Sequence, residues 1–534
     1  MYKRIRIAFF TLVVIFGILV SDIGIIMLKT GLSPSSQSNS SKSIVVSTSR
    51  GMIYDRNMKK LVNSDKTYLT ACLPTQIALN TLKNSLSENN LNILYENSKS
   101  GKISIFETTE AFDTSHVKSV ITSDRYSVNQ SCVHLIGHLD ETGKGAMGLE
   151  KAYDSYLSKI NGELKAVWST DAVGHILLGD GIHFESNGFL SPAGIQLTID
   201  SNIQEIAENA LEKHNISKGA VVVLDSYTNE ILALASVPEF NPDDISGDID
   251  NPDSPFINRG ITPYSVGSVF KPIISACALE NGVNLNYTCN GSITINSTTF
   301  RCSNSNAHGN INMTEATEES CNCYFIQLGQ MLSAEKLINL CNDFGFGKEL
   351  KLADNFDIKS GNLPTAEKIS SPEALGNLSF GQGDLLASPL QLAVAYSCFA
   401  NGGFYRAPTL MKGIIDENGN TVQMVRLPDS YRILNKSTVT EIDKILSSVV
   451  KNGNGKNADS QLTENHGKTA TAQTGWYENG REINHTWFCG YFESGKTTYT
   501  VVVFKDDGKS GSTDCAPAFR TISEEIHQNN QINY

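Results

Sequence analysis

The feature that most limits what this chain can become is an almost unbroken apolar run from Ala8 to Leu28. As a helix rising about 1.5 Å per residue, it spans roughly the 30 Å hydrocarbon core of a bilayer. Lys3, Arg4 and Arg6 precede it. Cationic flanks stay on the cytoplasmic side, so residues 1–7 are expected inside the cell and everything beyond residue 28 outside it. Asp22 falls near the outer end, within reach of headgroups and water. No small-x-small cleavage signature follows the first apolar stretch, which favours a retained single-pass anchor at 8–28 over a removed signal peptide.

The rest of the 534-residue chain is too long for one hydrophobic core. Its 40% hydrophobic and 19% charged residues match folded rather than disordered chains. The formal charge of -13, without a Lys/Arg cluster, excludes a nucleic-acid partner, because phosphate binding relies on clustered cations. Residues 29–49 are rich in Ser and read as a flexible stalk. A first module, 50–190, opens with Arg50-Gly51 and Asp55-Arg56-Asn57 and shows no grouping of nucleophile and base, so it is expected to be a non-catalytic pedestal.

The pattern changes after Ser191-Pro192-Ala193-Gly194. Asp200 or Ser201 can cap a helix whose Ile203, Ile206, Ala207, Ala210 and Leu211 share one face. Runs at 220–224 and 231–236 predict a hairpin across Tyr227-Thr228-Asn229. Further strands are expected only near the end, around 468–474, 485–492 and 499–504, followed by a helix over 516–526. The simplest α+β assembly is an antiparallel sheet built from the two ends of segment 191–534, covered by the end helices, with the middle forming a helical lobe. A cleft between lobe and sheet would be the natural substrate site.

Ser268 stands at a helix start with Pro272 in the first turn, and Lys271 lies on the same face. A serine hydroxyl needs a base to become a nucleophile, and a lysine buried near polar groups can be neutral enough to serve. The pair alone is a weak signal. Downstream, however, come Ser320-Cys321-Asn322, able to relay a proton and hold Lys271, and then Lys468-Thr469-Ala470-Thr471, a strand edge able to bind a carboxylate. Three such motifs in this order mark serine β-lactamases and penicillin-binding proteins.

With Gly148-Leu149-Glu150, Gly381-Gln382-Gly383, Ala400-Asn401-Gly402-Gly403 and Trp487-Phe488-Cys489-Gly490-Tyr491, the chain resembles the class B penicillin-binding proteins, monofunctional peptidoglycan D,D-transpeptidases. The resemblance implies a transpeptidase domain of the penicillin-binding and serine β-lactamase fold over 191–534. It makes Ser268 the acylated nucleophile, Lys271 its base, Ser320 a proton shuttle, Asn322 the group that orients Lys271, and Lys468 an electrostatic support. Thr469, Ala470 and Thr471 would line the substrate, with an oxyanion hole from the N–H groups of Ser268 and Thr471. Stem peptides ending in D-Ala-D-Ala, inhibitory β-lactams and a membrane-embedded glycosyltransferase of the shape, elongation, division and sporulation type are the implied partners, and no cofactor is implied. A serine D,D-carboxypeptidase, a β-lactamase and a catalytically silent regulator of the glycosyltransferase are the alternatives.

Two positions depart from the family: Ala470 replaces a Gly, and Val266 a Pro. The Ala470 methyl is expected either to crowd a ligand along the strand or to shift its dihedrals. Eleven cysteines show no metal-ligand spacing, so no metal is expected. Cys289 and Cys302 can close a short loop as a disulfide or stay as buried thiols, and His308-Gly309 reads as either a surface turn or a structural part of the site. The Trp487-Phe488 pair is expected in the core.

Overall fold

The computed structural model describes residues 2–29, 41–171, 173–353, 356–478 and 480–532. The N-terminal helix runs Tyr2–Lys29, and its 2–22 portion is long and apolar enough to cross a membrane. Residues 30–40 of the expected stalk lie outside the described residues. The stalk ends sooner than expected, because Ser41–Ser49 is a nine-residue strand paired antiparallel with Gly162–Ser169. Residues 41–45 are exposed on both faces, and a short Ser-rich strand of this kind is not distinguished from a linker by composition alone.

The chain divides into two compact units whose boundary is not the expected one at 190/191. One contains residues 1–49, 65–124 and 161–190. Within it, Thr67–Cys72 pairs with Ser104–Thr108 and Val117–Thr122, and helices Gln76–Leu82 and Glu88–Lys99 are capped by Thr75 and Ser87. The other unit joins 50–64 and 125–160 to 191–534. The Arg-Gly and Gly-Leu-Glu landmarks explain this union. Glu150, fully buried, accepts from Arg50 Nε at 2.8 Å and pairs with Arg125 at 2.6 Å, and Arg50 also reaches Asp154 at 2.9 Å. Asp55 accepts from the backbone N–H groups of Asn57, Lys59 and Ser201 and from the Ser201 hydroxyl, tying the strand Met52–Tyr54 to the 201–213 helix. Such long-range partners cannot be read from local pattern.

In this larger unit, a five-stranded antiparallel sheet has the order Ile231–Val237, Gly219–Asp225, Thr497–Lys505, Arg481–Ser494, Asn465–Glu478. It is the sheet expected from both ends of the segment. Its strands read as nearly continuous apolar runs because both faces are buried. Val221, Val223, Val501, Val503 and Phe488 point to one cluster with helices Ser201–Lys213 and Ala516–Ile532. The intervening Val222, Leu224, Val502, Phe504 and Trp487 point to the larger cluster under the helical lobe. Two lobe helices, Lys271–Glu280 and Pro389–Ala400, are buried along nearly their whole length. A helix apolar on every side is stable only inside a core.

Removing Glu150 would leave the largely buried Arg125 guanidinium without its carboxylate and Arg50 with Asp154 alone. Glu150→Ala is therefore expected to cost about 3–5 kcal/mol, read as a lowered denaturant midpoint of the purified protein. A loss of only a few tenths would mean that the arginines are held by other partners.

Candidate active site

Gly267–Phe270 forms a single 3-10 turn that leads directly into the Lys271–Glu280 helix. The turn needs Gly267: its φ is +61°, and a Cβ there would lie 2.9 Å from the Cβ of Ala472. Behind it, Gly267 N–H donates to Gly381 O at 2.9 Å, and a Cβ on Gly381 would fall 1.9 Å from the Gly267 carbonyl oxygen. The Gly-Gln-Gly motif is thus a close backbone brace for the serine turn, not a phosphate loop. Trp487, fully buried, donates its indole N–H to Ser265 O at 3.0 Å, and Tyr396 Oη donates to Val269 O at 2.8 Å. The serine is held from both sides of its turn.

Lys271 is fully buried, and its Nζ donates to Ser320 O at 2.7 Å, Ser320 Oγ at 3.1 Å and Asn322 Oδ1 at 2.8 Å. These three bonds use every proton of an ammonium group. Among the described residues no hydrogen bond joins Ser268 Oγ to Lys271 Nζ. The reason follows from the count: only the neutral amine, with one donor fewer, has a lone pair to turn toward the serine. Burial pushes the Lys271 ammonium down to about 8, against a smaller opposing pull from nearby cysteine sulfurs.

Ser320 adopts φ +55°, an uncommon left-handed conformation for a residue with a side chain. It places the carbonyl and hydroxyl of one residue on the same ammonium. Asn322 is fixed at its other end, where Nδ2 donates to Arg301 O at 3.0 Å. Cys321, between them, caps the helix Asn322–Gln330, its Sγ accepting from Tyr324 N–H at 3.4 Å.

Lys468 is also fully buried and donates to Thr469 O at 3.0 Å. Burial and then the charge of Lys271 hold its ammonium far below the usual lysine range. Two cations so placed repel each other, and one of them is readily neutral. The strand Asn465–Glu478 that carries Lys468 is an edge of the sheet, so alternate backbone groups face outward, free to bind a ligand. Its register against Arg481–Ser494 is unbroken from Asn465 to Gln473.

Ala470 therefore sits in ordinary extended backbone, paired with Trp487, and a glycine is not required for its dihedrals. Its methyl is buried in the main cluster with Val266 and Val269. The expected shift of dihedrals is not found, and Val266, in the position of the family's Pro, is itself fully buried in that cluster.

These groups meet in one cleft of about 610 Å³ lined by Ser268, Ser320, Asn322, Thr469, Ala470 and Thr471. Lys271 and Lys468 lie beneath its surface. Arg301, Asn454, Ser510 and Ser512, none singled out by the sequence, also line it, together with Gln382 of the Gly-Gln-Gly landmark. Of these, only Gln382 had a signal, the glycines on either side. Cys289 and Cys302 are unpaired thiols with Sγ atoms 3.8 Å apart, so of the two readings the buried thiols are found.

A serine on a tight helix-entry turn, a lysine with a lowered pKa one turn on, and an open strand edge define an acyl-transfer enzyme that works through a serine nucleophile. The profile of the penicillin binding protein transpeptidase domain matches residues 219–524, more than half of the chain. The chain belongs to that family. It is 29% identical to Stage V sporulation protein D of Bacillus subtilis over 97% of its own length and 84% of the relative's. To the peptidoglycan D,D-transpeptidase MrdA of Acinetobacter baumannii it is 28% identical, covering 69% of this chain and 58% of that one. A chain from a structure titled "Structural coordination of polymerization and crosslinking by a peptidoglycan synthase complex" superimposes with a TM-score of 0.70 at 23% identity, over 97% of this chain and 98% of the other.

Because the Ala470 methyl is buried in the core at the cleft wall, Ala470→Gly is expected to lower stability by about 1–2 kcal/mol through lost burial and added strand flexibility. Acylation by a penicillin should stay within about threefold of wild type, under 1 kcal/mol of transition-state change. A large gain in acylation rate would show that the methyl obstructs the ligand.

Proposed function

We propose that this protein is a peptidoglycan D,D-transpeptidase that cross-links stem peptides through an acyl-enzyme on Ser268. The observation that carries this reading is the buried Lys271, clasped by Ser320 and Asn322 beside the serine turn. In its neutral form Lys271 accepts the Ser268 proton as Oγ adds to the carbonyl of the penultimate D-Ala. The tetrahedral oxyanion receives the backbone N–H groups of Ser268 and Thr471, donors that are each worth about 3 kcal/mol in comparable sites. Thr471 is steadied by Gly511, whose N–H donates to Thr471 Oγ1 at 3.3 Å.

Collapse of the intermediate expels the terminal D-Ala, whose amine takes a proton through Ser320 from the Lys271 ammonium. An amine of a neighbouring strand then attacks the ester and restores Ser268. Lys468 holds Ser320 electrostatically, Asn322 orients Lys271 and the donor amide, and the 469–471 edge receives the substrate carboxylate. β-Lactams acylate the same oxygen and stall there. The alternative of a catalytically silent protein drew its support from Ala470, and that residue leaves the strand regular.

The N-terminal helix would keep residues 1–7 in the cytoplasm and the catalytic unit outside, following its Lys3, Arg4 and Arg6 flank. A membrane-embedded glycosyltransferase is the proposed partner, docked through the anchor and the first module. Support comes from the likeness to a chain of a peptidoglycan synthase complex.

Fluorescent penicillin should label the wild-type chain covalently at one site, and Ser268→Ala should abolish labelling while the thermal midpoint is retained. Supplying a pentapeptide donor and an amine acceptor should release D-Ala and form the cross-linked product. Labelling that survives in Ser268→Ala, or release of D-Ala without product under excess acceptor, would contradict the assignment.

A further inference from the structure

We propose that Cys289, Cys302, His308 and Cys321 form a structural zinc site that clamps the Ser320–Asn322 turn in place. The four ligand atoms all lie within 4.8 Å of one another. Cys289 Sγ is 3.8 Å from Cys302 Sγ and 3.4 Å from His308 Nδ1, and Cys302 Sγ is 3.6 Å from Cys321 Sγ. A tetrahedron with Zn–S of about 2.3 Å and Zn–N of about 2.0 Å has S···S edges near 3.8 Å and S···N edges near 3.5 Å. These three separations lie close to those edges, and the two S···S distances are far longer than the roughly 2.05 Å of a disulfide.

The three sulfurs are buried, and the imidazole is half-buried, an arrangement typical of a closed structural site rather than an open catalytic one. Cys289 and Cys321 each accept a backbone N–H, from Gly291 and Tyr324, both at 3.4 Å. Such bonds are the outer support that metal-bound thiolates commonly receive. A fourth buried sulfur, Cys323, lies 3.5 Å from Cys302 Sγ and is available as a substitute ligand. Soft thiolates with one imidazole at tetrahedral edges select zinc over magnesium or calcium.

Spacing along the chain concealed the site because no two of these ligands are close neighbours in sequence. The fold brings them together: Cys289 ends a strand paired with Gly309–Ile311 directly after His308, Cys302 follows the hairpin strand Thr298–Arg301, and Cys321 caps the helix Asn322–Gln330. The even choice for His308 between a surface turn and a structural role thus resolves toward structure.

The functional consequence rests on the transpeptidase reading. Cys321 is flanked by the two residues that hold Lys271, and Arg301, beside Cys302, accepts from Asn322. Zinc would join the hairpin excursion to this turn, with Cys302 in the wall of the same cleft as Ser268, and would act on Lys271 through Ser320 and Asn322, making its ligands positioning residues. Loss of the clamp frees a left-handed Ser320 to relax.

Purified full-length protein in detergent, prepared without chelator, is expected to contain one equivalent of zinc by elemental analysis. Replacement with Co(II) should give the intense visible bands of a tetrahedral thiolate site. Cys302→Ser should lose the metal, and His308→Ala, a milder change, should release it to a competing chelator about tenfold or more readily. Demetallated protein should acylate Ser268 roughly 10–100-fold more slowly, with recovery on adding zinc. Metal-free protein as isolated, a Cys289–Cys302 disulfide, or undiminished zinc in Cys302→Ser would overturn the site. Unchanged acylation without zinc would overturn the clamping role. Metal content and the Co(II) spectrum do not depend on catalysis, so failure of the transpeptidase reading would be separately visible.

Discussion

A lysine ammonium buried in the helical lobe, with all three protons committed to Ser320 and Asn322, is the constraint around which the larger unit is organised. A charge in such a place is costly unless every donor is satisfied, and the protein satisfies them with a turn from a different chain segment. That turn must supply two oxygens from one residue, which is why Ser320 takes a left-handed conformation. The same burial that makes the cation demanding also makes the neutral amine accessible. Structural need and proton transfer therefore arise from one arrangement.

The neighbourhood serves this balance. A second buried lysine, Lys468, is placed so that the two cations disfavour each other. On the opposite side, the serine turn is pressed against Ala472 and braced by Gly381, contacts that leave no room for a Cβ at either glycine. Such backbone-to-backbone packing gives rigid placement, which acyl transfer requires more than it requires strong ground-state contacts.

Much of this was legible in the sequence. The helix at 201–213, the hairpin after it and the three late strands carried clear periodicity, and the three motifs in order named the cleft residues. What escaped was whatever depends on partners distant in sequence. Strand Ser41–Ser49 looked like a linker because it is Ser-rich and exposed on both faces over its first half; residues 50–64 and 125–160 joined the catalytic unit through Arg50, Arg125, Glu150 and Asp55. The gathering of Cys289, Cys302, His308 and Cys321 was invisible for the same reason. Ala470 shows the converse: a departure from a motif reads as a defect until its methyl is seen to be buried.

With the neutral Lys271 amine proposed as the base for Ser268, the acylation rate constant must follow the protonation of that one group. With the Lys271 ammonium lowered to about 8, the proton-accepting form is scarce below that pH and dominant above it. Acylation by a penicillin should rise about tenfold per pH unit from pH 6 and level off above about 8. A rate constant independent of pH from 6 to 9 would show that Lys271 is not the group that takes the Ser268 proton.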